Sequence, residues 1–369
     1  MEKEMIIRTD KLSVGYDGKT LIPDISVKVN KGEILVLIGP NGAGKSTILK
    51  TIASQLKKIA GTVYLGESDM DELKEKDVAK SLSILLTKQP SGEMMTVWDV
   101  VETGRYPYTG MLGIPDEKDR EVVLKAIELV GLTDIKDCFF NNISDGQRQR
   151  VMFARAICQE PDVLIMDEPT SYLDMRYKLE LLSIVKKLAR EKNIAVIISL
   201  HELDLAGKCA DKIMCVRDGR IDRYGTIDEI FYHNDNYINE LYNVKSGVFI
   251  EAFGSMELEK TEGEPKVFVI GGGGSAIPLF RKLQREGISY AVGVINENDM
   301  EYPVASALAS IVISEKPFEA ISDKKVKEAL DVMKKCEKVY CPVTEFGTVN
   351  SKNRELFEYA KEHNMLEDM

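Results

Sequence analysis

The chain has 369 residues, with 60 acidic against 49 basic side chains and a formal net charge of -11, and 44% of its residues are hydrophobic and 30% charged. That length suits two or three domains, and the balance is that of an ordinary soluble globular protein. It argues against a nonspecific nucleic-acid binder, while the charged start MEKEMIIRTD lacks the pattern of a secretory signal and no apolar run has the length that a bilayer crossing needs.

In chain order, Ile6-Ile7 and Leu12-Ser13-Val14 read as short strands before a turn at Asp17-Gly18. Ile25-Ser26-Val27-Lys28-Val29 alternates apolar and polar residues, which predicts one half-buried strand. Ile34-Leu35-Val36-Leu37-Ile38 is wholly apolar and predicts a central strand buried on both faces. It runs directly into Gly39-Pro40-Asn41-Gly42-Ala43-Gly44-Lys45-Ser46-Thr47, the pattern G-x-x-x-x-G-K-[ST] in its required setting between strand and helix. Glycines let such a loop turn its N–H groups toward phosphate oxygens, and the following helix adds its free amides and positive dipole end. Lys45 is then expected to reach the β- and γ-phosphates of a nucleoside triphosphate, and Ser46 to offer an oxygen to Mg²⁺.

Ser144 can begin the amphipathic helix that follows Ile143-Ser144-Asp145-Gly146-Gln147, and a serine there offers its hydroxyl to an anion or simply caps the helix. Val163-Leu164-Ile165-Met166-Asp167-Glu168 predicts a buried strand ending in two carboxylates. Asp167 is placed to hold Mg²⁺ through its water shell, and Glu168 to orient an attacking water as general base. Ile194-Ala195-Val196-Ile197-Ile198 is another apolar run, closed by His201. The other histidines, His233 and His363, have no ligand-like company, and the six cysteines (138, 158, 209, 215, 336 and 341) form no C-x-x-C pair and read as free thiols of a reducing compartment.

The phosphate loop, ISDGQ, MDEPTSYLD and the histidine of IISLHEL occur in an order that resembles the ATP-binding cassette (ABC) ATPases over roughly residues 5–245. The resemblance implies an α/β fold, a P-loop NTPase domain carrying a helical subdomain. It implies that Tyr16 stacks on adenine and that Gln89 touches Mg²⁺, water and a membrane subunit. Ser144, Gly146 and Gln147 would meet the nucleotide held by a second copy in a head-to-tail dimer, residues 171–174 would cross that interface, and His201 would contact the γ-phosphate. Asp145 departs from the family pattern, which has glycine there. The stretch 96–110, with Trp98 and Gly104-Arg105-Tyr106-Pro107-Tyr108, resembles the helical subdomain of importer ATPases for siderophores, haem and cobalamin, where it docks a polytopic permease. The implied protein is peripheral, on the cytoplasmic face of the cell membrane, works indirectly with a substrate-binding protein, and uses ATP and Mg²⁺. Two other readings stay open: a cassette protein of translation or DNA repair, and a subunit whose motor has decayed.

Composition shifts near residues 254–264, which predicts units 1–253 and 265–369 joined by a linker. The charge-rich runs 69–80 and 351–369 read as solvated helical faces. In the second unit, apolar runs at 267–270, 289–295, 310–313 and 339–340 alternate with helix patterns, which predicts a small Rossmann-like α/β domain with a mostly parallel sheet. Its Gly271-Gly272-Gly273-Gly274-Ser275 turn is expected to ease a tight strand–helix join or to cradle an anion, with Asn296-Glu297-Asn298-Asp299 lining the same edge.

Overall fold

Residues 4–86, 94–110, 113–231, 236–250 and 253–368 are described by the computed structural model. In chain order they form β1 (Met5–Tyr16), β2 (Lys19–Ile25), β3 (Lys28–Asn30), β4 (Ile34–Ile38), α1 (Lys45–Ile52), β5 (Ala60–Leu65), β6 (Ser68–Asp69), α2 (Glu75–Ser81), β7 (Leu82–Leu85), α3 (Val97–Glu102), α4 (Glu117–Leu129), α5 (Asp145–Cys158), β8 (Val163–Asp167), α6 (Met175–Lys192), β9 (Ala195–Ser199), α7 (Leu203–Cys209), β10 (Lys212–Arg217), β11 (Arg220–Thr226) and α8 (Ile227–Phe231). There follow α9 (Tyr237–Leu241), β12 (Val248–Ile250), β13 (Ser255–Glu257), β14 (Val267–Val269), α10 (Ile277–Arg285), β15 (Tyr290–Asn296), α11 (Tyr302–Leu308), β16 (Ile311–Glu315), α12 (Asp323–Met333), β17 (Lys338–Tyr340) and α13 (Asn353–Glu362). The chain divides into two compact units, Met1–Tyr237 and Ile238–Met369.

The first unit combines two sheets. The N-terminal one has the order β2-β1-β5-β6, with β3 pairing β1 as well. The segment 25–29, expected as one strand, is broken there. Thr9 of β1 donates its hydroxyl to the Ile25 carbonyl at 2.9 Å and accepts from the Val27 amide at 3.0 Å, so a side chain takes over where the ladder would run. The larger sheet has the order β11-β10-β4-β9-β8-β7, parallel except for the β10–β11 pair. Every residue of β4, β8 and β9 is buried, as near-continuous apolar runs require in a sheet covered on both faces. Ile48, Leu49 and Ile52 of α1 pack on Leu35 and Leu37, which fixes the helix that receives the phosphate-loop pattern.

Helices α3, α4 and α5 pack together as a helical subdomain. Gly104 is there for close approach: a Cβ would stand 2.4 Å from the Arg155 carbonyl of α5. Arg105 is only 3% exposed and bridges three elements. It donates to Asp119 of α4 at 2.8 Å, to the Cys158 carbonyl at 2.8 Å and to Glu160 at 2.9 Å, and its guanidinium stacks 4.0 Å from the Tyr108 ring.

The second unit holds a parallel sheet of order β16-β15-β14-β17. Period-two alternation sends Val267, Val269 and Val292 toward α10 and α11, and Phe268, Ile270 and Ala291 toward α12 and α13. Phe280 of α10 stacks on Tyr290 at 5.6 Å. The run at 254–264 contains β13, which pairs with β12 and places Glu257 against Arg281 of α10; polar composition there reflects one edge hairpin and its ion pair. No helix among the described residues is long and apolar enough to cross a membrane.

Breaking the buried arginine bridge has a predictable cost. Arg105→Ala leaves the buried Asp119 without its guanidinium partner and is expected to lower unfolding stability by about 3–5 kcal/mol, while Gly104→Ala overpacks the contact between the turn after α3 and α5 and costs about 1–3 kcal/mol. Urea denaturation checks both; an unchanged midpoint for Arg105→Ala would contradict the bridging role.

Candidate functional site

The carboxyl ends of β4, β8 and β9 open into one cleft of about 350 Å³, lined by Tyr16, Leu21, Asn41, Gly42, Gly44, Lys45, Ser46, Thr47, Glu168 and His201. The loop after β4 starts at Gly39, whose φ of 142° and approach to the Val216 carbonyl (2.1 Å from a Cβ) exclude any side chain. Pro40 and Ala43 complete it: the Ala43 amide donates to the Pro40 carbonyl at 3.2 Å, and Gly44 begins α1. Lys45 is 4% exposed, and its ammonium donates to the carbonyls of Gly39 at 2.7 Å and Pro40 at 3.1 Å. Burial pushes its pKa below the ordinary lysine value, with Glu168 and Asp167 pulling the other way.

Ser46 donates to Asp167 Oδ1 at 2.9 Å. Asp167 Oδ1 also accepts from Ser199 Oγ at 2.8 Å, and the same serine accepts from the Glu168 amide at 2.9 Å. Glu168 has a left-handed backbone, φ 50°, just past the end of β8, and its Oε1 lies 2.6 Å from His201 Nε2. Tyr16 stands half-exposed at the cleft, its hydroxyl 3.1 Å from Thr47 Oγ1. The structure thus brings together Tyr16, residues 39–47, Asp167, Glu168 and His201. Gln89 and His233 lie outside the described residues.

Ser144, Gly146 and Gln147 form a separate group at the start of α5 and do not line the cleft of their own chain. Ser144 and Gln147 make a reciprocal capping box, the Ser144 amide donating to Gln147 Oε1 at 2.9 Å and the Gln147 amide to Ser144 Oγ at 3.3 Å. Asp145 turns its carboxylate along the helix to Arg148, 3.0 Å away. The 171–174 segment runs beside this group, with the Tyr172 carbonyl 3.2 Å from where a Gly146 Cβ would stand, and Asp174 caps α6 through the Tyr177 amide at 3.0 Å. Trp98 donates to Glu102 at 3.1 Å, and Tyr106 is exposed.

Sequence reasoning missed Ser199, although a signal existed: it is the polar residue closing the apolar run of β9, in register with Asp167. It also missed Thr170, Lys178 and Glu202, which interact with one another beside His201.

In the second unit the 271–275 turn is already filled by its own chain. The Gly273 amide donates to Asp299 Oδ2 at 2.8 Å and the Ala276 amide to Glu301 Oε1 at 2.6 Å. Glu301 is fully buried, and burial raises its pKa above the ordinary glutamate value. Of the two expectations for this turn, the structure fits the tight strand–helix join: two carboxylates stand where an anion would sit. Asn296 ties the next loop instead, donating to the Lys316 and Glu319 carbonyls at 3.0 and 2.8 Å.

Residues 22–171 match the family model of the ABC transporters, and residues 290–366 match that of the MJ0874 family. The chain is 40% identical to the uncharacterized ABC transporter ATP-binding protein MJ0873 of Methanocaldococcus jannaschii, over 78% of this chain and 99% of that one. It is 34% identical to the iron(3+)-hydroxamate import ATP-binding protein FhuC of Bacillus subtilis, over 61% of this chain and 83% of that one. Identity to the cobalamin import ATP-binding protein BtuD of Halobacterium salinarum is 30%, over 86% of this chain and 81% of that one. Among solved structures, MJ1267, an ATP-binding cassette of an ABC transporter in its ADP conformation, superposes with a TM-score of 0.57 at 26% identity, covering 65% of this chain and 99% of that one.

The geometry ranks two substitutions. Ser199→Ala strips a fully buried hydroxyl that serves Asp167 and the Glu168 amide and is expected to cost about 1–3 kcal/mol. Asp145→Asn removes only a largely exposed pair and a charge at a helix start, and is expected to cost about 1 kcal/mol or less. Thermal and urea unfolding of both variants test that order.

Proposed function

This chain belongs to the ATP-binding proteins of ABC transporters, and from that premise we propose that it powers uptake of a metal chelate, an iron–siderophore complex first, with haem or cobalamin as the alternative cargo. One observation carries the motor half of the reading: Lys45, the Ser46–Asp167 pair and the Glu168–His201 pair converge on a single cleft. The cargo half rests on the relatives, whose names include import of iron(3+)-hydroxamate and cobalamin.

In this reading the amides of residues 41–47 cradle the phosphates of ATP, and Tyr16 stacks on the adenine. Lys45 exchanges its carbonyl partners for β- and γ-phosphate oxygens. Burial disfavours its charge, and Asp167 and Glu168 offset part of that cost. Ser46 Oγ and Asp167 Oδ1 present hard oxygen donors 2.9 Å apart at the cleft, a donor set that fits Mg²⁺. Gln89 is assigned to the same ion through the family resemblance. Bound there, Mg²⁺ would neutralise charge on the phosphate oxygens. Glu168 orients the attacking water and accepts its proton, and His201, hydrogen-bonded to Glu168, holds the γ-phosphate from the other side.

Ser144, Gly146 and Gln147 lie outside their own chain's cleft, so the reading gives them to the nucleotide of a second copy. Two-fold symmetry then builds two shared sites. Their closure excludes water and aligns donors around the transferring phosphoryl group. A wider cavity of about 780 Å³, bordered by Ala53, Met70, Val78 and Leu82 and, from α5 of the helical subdomain, by Met152 and Arg155, offers the polytopic permease a groove; Trp98 and Tyr106 belong to that helical subdomain. Such docking would place the chain peripherally at the cytoplasmic face of the membrane, where a substrate-binding protein acts on it only through the permease.

Glu168→Gln is expected to keep ATP binding and to lower turnover by about 10²–10⁴-fold, whereas Lys45→Ala weakens nucleotide binding itself. Phosphate-release assays beside nucleotide titration separate the two; Glu168→Gln turnover equal to that of the unaltered chain would end the assignment. For the cargo, cells lacking the chain are expected to lose uptake of ⁵⁵Fe-siderophore and to regain it with the wild-type protein but not with Glu168→Gln. Loss of labelled cobalamin or haem uptake with iron uptake intact would select the alternative.

A further inference from the structure

The turns that follow β8 and β9 leave the sheet side by side, because Asp167 is in register with Ser199. They are joined twice. The first rung is the Glu168–His201 contact at 2.6 Å. The second lies two residues along one turn and one along the other: Thr170 Oγ1 donates to Glu202 Oε2 at 2.9 Å. The other oxygen of Glu202 pairs with Lys178 in the first turn of α6, at 2.6 Å.

Glu202 and Lys178 each give up something local for this arrangement. Glu202 stands at the N-cap position of α7, where a side-chain oxygen ordinarily accepts one of the helix's free amides, yet it makes no such bond. Lys178 puts a cation in the first turn of α6, the end where the dipole disfavours one. Thr170 is 2% exposed and directs its hydroxyl to the carboxylate. Burial opposes ionisation of Glu202, but the bonds from Lys178 and Thr170 outweigh it and hold the carboxyl below the ordinary glutamate range. Lys178 and Glu202 are also less than a third exposed, so the pair is screened less than an open surface pair.

We propose that Glu202 is a positioning residue for the hydrolytic pair: it fixes the His201 turn against Glu168, and through Thr170 and Lys178 it ties that pair to the 171–174 segment. Glu168 needs such support. Its backbone is left-handed, a conformation disfavoured for an L-residue, so its direction depends on what surrounds it. The His201 turn is short, residues 200–202 between β9 and α7; the Leu200 amide ties its start to the Leu37 carbonyl, and Glu202 ties its end to Thr170 and Lys178. The segment 171–174 lies between Thr170 and the first turn of α6, so both partners of Glu202 flank it. A shift of that segment, which the functional reading places at the dimer interface, moves Thr170 and Lys178 together and reaches His201 through one carboxylate. This inference rests on the proposed roles of Glu168 and His201.

The test is a double-mutant cycle on the full-length chain, read by steady-state ATP hydrolysis. Glu202→Gln is near-isosteric and is expected to lower kcat by about 10–100-fold, the scale of a small misplacement of a reacting group, with KM for ATP changed by less than about twofold. In the His201→Ala background the same substitution is expected to cost nothing further, within about twofold, because Glu202 acts through His201. Lys178→Met should reproduce part of the loss and Lys178→Arg restore it. Equal fold-losses from Glu202→Gln with and without His201, or a loss that appears in KM alone, would overturn the proposal. If His201→Ala turned over ATP as fast as the wild type, the role of His201 itself would fall and this inference with it. Should Glu202→Gln unfold, the Lys178→Met and His201→Ala cycle decides by the same criterion.

Discussion

β4, β9 and β8 end level with one another, since Leu37 is in register with Ser199 and Ser199 with Asp167. All fifteen residues of these three strands are buried. Register in such a core is strongly specified, because slipping by one residue would reverse which face every side chain packs. That constraint sets the chemistry. The phosphate loop leaves β4, Asp167 ends β8, Glu168 follows it, and His201 comes two residues after β9. Ligands in open α/β sheets sit beyond the carboxyl ends of the strands, and here the level ends bring groups from residues 39 to 201 into one cleft. Ser199 locks the arrangement, with one hydroxyl serving Asp167 and the Glu168 amide.

The charges in that cleft are balanced by position. Lys45 is nearly inaccessible and still has two carboxylates close enough to oppose the effect of its burial. Its ammonium is satisfied by two backbone carbonyls, partners that do not neutralise it. Asp167 accepts hydrogen bonds from two hydroxyls, those of Ser46 and Ser199. Glu168 is tied to His201 instead, so the two adjacent carboxylates have different partners.

How much of this was legible in the sequence depends on how local each cause is. The buried strands, the phosphate loop and the paired acids were readable because each is a contiguous pattern with its own physics. Ser144 was readable as a helix start for the same reason, and its capping box is a local structure. Ser199, Thr170 and Glu202 were not singled out, because their importance comes from strand register and from a turn lying beside them. The strand expected at 25–29 failed on a similar ground: Thr9, sixteen residues earlier, puts its hydroxyl where the ladder would continue. Arg105 stood in a stretch that resembles a docking region, yet its side chain is spent inside the subdomain on Asp119, Glu160 and the Cys158 carbonyl. In that stretch, exposed Tyr106 keeps a surface role and Arg105 holds the surface in shape.

The two units make a controlled comparison of one local grammar. Each has an apolar strand, a glycine-rich turn and a helix, the sequence of elements that commonly binds anions. In the first unit the neighbouring strand β9 contributes Ser199 and, beyond it, His201; the acids Asp167 and Glu168 stand on β8, one strand further away, and the loop amides face an open cleft. In the second unit the neighbouring strand β15 runs into Asp299 and Glu301, and their carboxylates accept from the amides of Gly273 and Ala276. The same kind of turn thus borders an open cleft in one place and is an internally satisfied join in the other. Glycine spacing sets what the backbone can do. Whether it meets a ligand is set by the side chains that the adjacent strand delivers to its edge, and for that reason a fold shared between sites does not carry a shared function.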